Sequence, residues 1–368
     1  MTAEQAFRRI AERRGFWAPV GWILSPLGLV YGTLAAVRRR LYETGKAART
    51  RVPAVVVSVG NLEVGGVGKT PVTIWLAQEL ARQGMRTAVV AKDLNRSRRT
   101  PFDASRELMS NSNKLPSDEV ILLTRSLREC SVYAGPDKTD AAVRAWEEAR
   151  PEVIVVDDGF QHLRLCRDME IVVLDFDHPL GRGGVLPAGT LREFPGTLTK
   201  ADVFWINRVG TGRSGEWMGR ALSAYNWRAA VVTSRLVPQG LRLPGGGMLA
   251  PSGLKVLAFC GIGSPDGFGR TLGEAGCEVL GLEVFPDHHR YSDDELDGLE
   301  KLRRERSADF LVTTGKDSVK LGRKGSELNI AFLEVSLEVS GEAERLLSEI
   351  RRLHASRFGS GGSSDHQV

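Results

Sequence analysis

The sequence predicts an α/β fold: a mostly parallel sheet with helices on both faces, a second smaller α/β lobe, and an apolar helix ahead of both. Three observations carry this. The runs Val55–Val59, Val153–Val156 and Ile171–Leu174 are apolar and rich in β-branched residues. They are too short for helices and lack the polar alternation of a half-exposed strand, so they read as strands buried on both faces. Helical patterns alternate with them, as crossover connections of a parallel sheet require. Finally, the first run leads straight into a glycine-rich turn that opens a helix, VVVSVGNLEVGGVGKTPVTIWLAQEL over residues 55–80.

Strand, glycine loop, Lys-Thr and helix together describe a phosphate-binding loop. Gly65, Gly66, Val67 and Gly68 would turn backbone N–H groups around phosphate oxygens. The helix behind them would point its positive end at the same anion. Lys69 would reach the β- and γ-phosphates, and the Thr70 hydroxyl would bind Mg²⁺. The strict pattern wants glycine six residues before the lysine; Glu63 stands there instead.

The chain has 368 residues, 42% hydrophobic and 26% charged, enough for two α/β units. Its formal charge of +5 is concentrated at Arg8, Arg9, Arg13 and Arg14, at Arg38, Arg39 and Arg40, and at Arg96, Arg98 and Arg99. The first two clusters flank the uncharged stretch Phe16–Val37, which fits an anionic membrane surface better than nucleic acid. As a helix those residues would span about 33 Å. Pro19 and Pro26 weaken a simple crossing, so an interfacial anchor is an equal reading, and an apolar helix packed on the protein's own core is a third. Cys130, Cys166, Cys260 and Cys277 form no C-x-x-C pair and sit in or beside apolar runs, as buried thiols of a reducing compartment do.

In chain order, residues 1–50 form the anchor and basic segment and 51–228 the phosphate-loop core. Residues 229–355 form the second lobe and 356–368 a disordered tail. In the core, a helix over 71–83 ends at Gly84, a strand covers 87–91, and 92–117 reads as an irregular loop over the site. Helices follow over 118–127 and 138–149, strands over 153–156, 171–174 and 203–207, and a helix over 214–224. The second lobe repeats the alternation, with strands at 255–259, 278–284 and 309–313 and helices at 265–275 and 292–305. Acids at the carboxyl ends of buried parallel strands face the ligand crevice. Asp157 and Asp158 are therefore candidates to hold Mg²⁺, and Asp175 is a weaker one.

Three further runs look chemical: DDGFQH at 157–162, LPAGTLRE at 186–193 and FPDHHRY at 285–291. Together with SVGNLEVGGVGKTPV (58–72), CGIGSPDGF (260–268) and the Lys316-Asp317 turn, they form an ordered signature. It resembles that of the tetraacyldisaccharide 4'-kinase family, the lipid A 4'-kinases of Gram-negative bacteria. The resemblance implies a two-lobed P-loop NTPase-like fold. It also implies ATP- and Mg²⁺-dependent phosphorylation of the 4'-hydroxyl of an acylated disaccharide 1-phosphate, at the cytoplasmic face of the inner membrane. Inner-membrane lipids are then the partners; no nucleic acid or obligate protein partner is indicated. By position, Asp118 would be the catalytic base, paired with His288 or His289. Lys69 and Arg192 would stabilise the transferring phosphoryl group. Gln161, His162, Arg192 and Glu193 would line the substrate site, and Thr70, Asp157 and Asp158 the metal region.

The chain departs from the family where Ala91-Lys92-Asp93-Leu94-Asn95 replaces Ser-Arg-Gly-Tyr-Gly, and at Glu63, Ser117 and Gly315. Those departures leave a membrane-bound ATPase switch, or a homologue that binds ATP without transferring, as the competing readings.

Overall fold

A computed structural model describes Ala11 and residues 18–93, 100–109, 116–210 and 215–359. The basic clusters at Arg8 to Arg14 and Arg96 to Arg99, and the final nine residues of the expected tail, lie outside these. Helix α1 (Ala18–Ile23) and α2 (Ser25–Glu43) are followed by β1 (Val55–Gly60) and α3 (Lys69–Arg82). Next come β2 (Thr87–Lys92), β3 (Phe102–Asp103), α4 (Ala104–Met109) and α5 (Asp118–Ser126). Then β4 (Ser131–Gly135), α6 (Lys138–Ala149), β5 (Val153–Asp157), β6 (Met169–Asp175), β7 (Val203–Asn207) and α7 (Glu216–Leu222). The remainder is β8 (Ala230–Arg242), β9 (Met248–Leu249), β10 (Lys255–Cys260), α8 (Pro265–Glu274), β11 (Glu278–Val284), α9 (Asp293–Glu305) and β12 (Phe310–Thr314). It closes with α10 (Gly315–Ser318), α11 (Gly322–Glu327), β13 (Ala331–Gly341) and α12 (Ala343–Phe358).

The chain divides into two compact units. Of the described residues, the first holds those up to 235 and those from 339 to 359, the second 236–338. The first unit's strands run β3-β4-β2-β5-β1-β6-β7-β8. All neighbours whose register is resolved are parallel except β3 with β4. Every residue of β1, β5 and β6 is buried, as the apolar runs require. One face, including Val56, Ala88, Val90, Ile154 and Val156, packs against Ala141, Ala142 and Ala145 of α6. Those small side chains let the helix lie close, and the Asp137 carboxylate caps it by accepting from Thr139 N at 2.7 Å. The chain crosses from β1 to β2 on one side and reaches β6, β7 and β8 on the other. The carboxyl end of β1 is therefore a topological switch point, where such sheets bind ligands.

The second unit's strands run β11-β10-β12-β13, all parallel, with α9 started by a Ser292/Glu295 capping box. Residues 339–355, grouped with the second lobe from sequence, lie in the first unit. Glu342 accepts from Val231 N at 2.7 Å, and Arg357 grips Asp168 at 2.8 and 2.9 Å.

Further expectations are corrected: residues 356–358, expected in the disordered tail, close helix α12. The expected apolar helix is two helices broken at Leu24, the second carrying Arg38, Arg39 and Arg40. No helix among the described residues is long and apolar enough to cross a membrane. Another correction concerns 92–117: it is not all loop, because Phe102–Asp103 adds an antiparallel edge to β4 and α4 follows. Asp103 Oδ1 accepts from Ser105 N at 2.9 Å and starts that short helix.

Candidate active site

The first unit's site is built from the carboxyl ends of β1, β5, β6 and β7. Gly68, with φ of 83°, sits where a Cβ would lie 2.1 Å from Asn207 Nδ2, so only glycine fits. Asn207 Nδ2 donates to Val67 O at 2.9 Å, tying the glycine loop to the end of β7. Arg208 extends the tie: it pairs with Asp175 at 2.6 Å and donates to Gly66 O. On the other side Val64 N donates to Thr190 O at 2.8 Å and Arg192 N to Leu62 O at 2.7 Å. The phosphate loop is thus held from both flanks while the Lys69 ammonium stands 3.1 Å from Asn61 Oδ1 and 3.5 Å from Asp158 Oδ1.

The acid pair ending β5 splits into two roles. Asp157 is buried and accepts from Thr73 Oγ1 at 2.8 Å. Burial, with Glu119 nearby, pushes its carboxyl up to about 6 against the opposing pull of Thr73 and Lys138. Asp158 turns into the left-handed region at φ 51° and accepts from Arg192 at 3.0 and 3.1 Å. Burial opposes its charge, but Lys69, Arg192 and Lys138 hold it down to about 2. Gln161 is clamped between Asn61 O (2.7 Å) and Arg192 (3.1 Å). The His162 Nε2 lies 2.8 Å from Thr139 Oγ1, and burial lowers the ring to about 4, leaving it neutral at physiological pH.

Lys69, Thr70, Gly65 to Gly68, Asp157, Asp158, Gln161, His162 and Arg192 thus belong to one unit. Asp118 opens α5 in that unit, behind Ser117. Glu193 is buried in an ion pair with Arg39 at 2.7 Å. His288 and His289 belong to the second unit and differ sharply. The His289 Nε2 lies 3.1 Å from both Glu295 oxygens, and the ring stacks on Phe285 with centroids 4.8 Å apart. By contrast, His288 is exposed, adopts φ 61°, and has its Nε2 3.3 Å from Lys316 Nζ. A non-glycine residue held in that region points toward function.

Sequence reading missed Lys138. It is buried at the start of α6 and donates to Asp158 O at 2.6 Å. Burial lowers its pKa, while Asp158 and Asp157 raise it. The signal was present: a lysine at a helix's positive end is electrostatically misplaced unless carboxylates face it. Asn61, which accepts from Lys69 within the same loop, was also missed, as were Asn207 and Arg208, since nothing local marks residues that act across the sheet ends.

Glu63, the departure in the phosphate loop, takes a bond from Thr190 Oγ1 at 3.3 Å. Burial first, then Asp175, raises its carboxyl to about 7, against Thr190, Arg182 and Arg208. Between the ordinary value of 4.5 and 7, the folded state therefore binds more protons than the unfolded. Stability falls as pH rises through that window. Glu63→Gln should remove this slope, gaining at most about 3 kcal/mol over the parent at pH 8 and little at pH 4. Denaturant unfolding across pH measures it, and parallel curves would refute it.

A family model described as tetraacyldisaccharide-1-P 4'-kinase matches residues 20–353. A tetraacyldisaccharide 4'-kinase from an Anaeromyxobacter strain is 39% identical over 313 residues, covering 81% of this chain and 83% of that one. One from Syntrophus aciditrophicus is 33% identical over 376 residues, covering 96% and 100%. A crystal structure of the Aquifex aeolicus enzyme LpxK, determined with ATP, aligns at a TM-score of 0.69 with 27% identity, covering 91% of this chain and 99% of that one. The chain belongs to the tetraacyldisaccharide 4'-kinase family.

Proposed function

We propose that the phosphate loop and the 157–162 corner of the first unit carry the family's ATP-dependent phosphorylation of the lipid's 4'-hydroxyl, with Asp118 as the base and His288 as a further catalytic residue. The observation that carries this is the cluster of Lys69, Arg192 and Lys138 around Asp158 at the switch point. Phosphoryl transfer depends mostly on alignment and charge neutralisation, and three cations at one corner suit the triphosphate. Gln161 and Arg192 orient one another beside it, and neutral His162 and the Glu193 loop border the acceptor side.

The residues fit Mg²⁺. Thr70 and the buried Asp157 are hard oxygen donors, and burial pushes the Asp157 carboxyl up to about 6 despite the pull of Thr73 and Lys138. Among the described residues no three His, Cys, Asp or Glu side chains form a cage, which suits an ion that takes only one or two protein ligands and draws the rest from phosphate and water. Asp158 would stand beside it. When bound, the cation would neutralise charge on the phosphates.

The acceptor hydroxyl must lose its proton as the new bond forms, and a positioned carboxylate such as Asp118 can accept it. Of the two histidines, His288 is the exposed one and is favoured as catalytic, because the His289 ring is already committed to Glu295 and Phe285. The seat of the reaction is the cytoplasmic face of the inner membrane. Trp22, Ile23, Leu27, Leu29, Val30 and Leu34 are exposed on α1 and α2, an apolar surface suited to lie in a bilayer interface.

The test is transfer of labelled phosphate from ATP to tetraacyldisaccharide 1-phosphate in detergent with Mg²⁺. Asp118→Asn and His288→Ala should each lower kcat by about 10²–10⁴-fold, while His289→Ala should chiefly lower the melting temperature. Undiminished transfer in Asp118→Asn would remove the base assignment.

A further inference from the structure

Helix α2 carries the exposed apolar side chains on one side, and its buried residues, Gly28, Gly32 and Arg39, on the other. A Cβ at Gly28 would stand 2.8 Å from Val185 O, and one at Gly32 would lie 2.5 Å from the Phe194 ring. The helix therefore lies hard against the 185–194 loop. At the end of this contact, the Arg39 guanidinium forks onto Glu193 at 2.7 and 3.0 Å, donates to Phe160 O at 3.0 Å, and lies 4.6 Å over the Phe160 ring. Neighbouring Arg38 donates to Gln161 O at 3.3 Å.

Both segments Arg39 grips carry site groups. Glu193 adjoins Arg192, whose guanidinium holds Asp158 and Gln161. Phe160 lies two residues beyond Asp158 and directly before Gln161. Arg39 itself is buried, with side-chain exposure of 6%, against 5% for Glu193. A buried ion pair contributes little net stability for its desolvation, so the interest of this one is that a single side chain joins the 157–162 turn to the 185–194 loop. The planar fork matches two carboxylate oxygens and a carbonyl at once, which an ammonium cannot do.

We propose that Arg39 is a positioning residue of the kinase: through Glu193 and Phe160 it sets the relative placement of Arg192 and the 157–162 turn. It touches no reacting atom and acts only through these neighbours. Displacements of about 1 Å in such groups can cost 10²-fold in rate. The proposal rests on the reading of Arg192 and Asp158 as site residues.

The test uses the full chain in detergent micelles, with ATP, Mg²⁺ and the lipid acceptor. Arg39→Met should lower kcat at least about tenfold. KM for ATP and lipid, and co-sedimentation with phosphatidylethanolamine–phosphatidylglycerol vesicles, should stay at the parent's values. Arg39→Lys should recover only part of the rate. An unchanged kcat, or a loss confined to lipid KM and vesicle binding, would overturn the proposal, the latter by making Arg39 a membrane contact. If Arg39→Met shows no melting transition, Arg39→Lys decides: a lowered kcat in a folded protein supports positioning, and a parental kcat sinks it. Arg192→Met and Asp158→Asn are measured alongside. If they lose rate and Arg39→Met does not, the positioning role fails; if they lose none, the site reading fails.

Discussion

Lys69→Ala should abolish useful transfer, lowering kcat/KM by about 10³–10⁵-fold, in the range of a cation removed from a transferring phosphoryl group. The Lys69 ammonium is presented at the first turn of α3, steadied by Asn61 Oδ1 at 3.1 Å and Asp158 at 3.5 Å. Removing it leaves Asp158 paired with Arg192 and Lys138 bonded to the Asp158 carbonyl, so the fold should survive. The loss should therefore appear with a near-parental melting temperature. Lys69→Arg should not rescue, because a wide planar guanidinium is not a compact ammonium. Single-turnover transfer, with nucleotide binding measured separately, tells a lost chemical step from lost affinity. Near-parental turnover in Lys69→Ala would remove the phosphate-loop assignment.

Strong local patterns are legible in the amino-acid sequence. The buried strands show as unbroken apolar runs because both faces of the sheet are covered, and Val153–Asp157 bears this out residue by residue. Helix α6 is readable to its ends because Asp137 caps it and Arg150 closes it in the left-handed region. The phosphate loop is readable because Gly65 and Gly68 adopt positive φ, 129° and 83°, which favours glycine. Much less visible is whatever depends on distant pairing. Asn207 and Arg208 meet the loop, and Lys138 meets the Asp158 carbonyl, only when segments apart in sequence are aligned. The return of α12 to the first unit rests on bonds such as Arg357 to Asp168, which no local pattern encodes. The N-terminal apolar run is legible in part: Pro26 signals the interruption beside Leu24, but hydropathy does not show that Gly28 and Gly32 let the helix approach a loop.

Asp158→Asn separates two roles that the sequence merges into one acidic pair. The side chain's shape is kept, and asparagine tolerates the left-handed backbone that Asp158 adopts at φ 51°, so strain does not confuse the result. What is lost is the charge facing Lys69, Arg192 and Lys138. We expect kcat to fall by about 10²–10³-fold, as Arg192 and Lys69 lose the anion that aligns them. Because the folded carboxyl is held at about 2, below the ordinary 3.8, the parent binds fewer protons than its unfolded chain between those values. Its advantage over the variant, about 1–2 kcal/mol after solvent screening, should be present above pH 4 and fade as pH falls toward 2 in metal-free protein. A Mg²⁺ titration of turnover then assigns the role. If Asp158 serves by aligning cations, the variant's Mg²⁺ requirement stays at the parent's value while kcat falls. If the carboxylate instead binds the metal directly, the requirement rises and high Mg²⁺ restores part of the rate. The two Arg192 contacts at 3.0 and 3.1 Å favour the first outcome, under which Asp157 and Thr70 would be the protein's side of the proposed metal site.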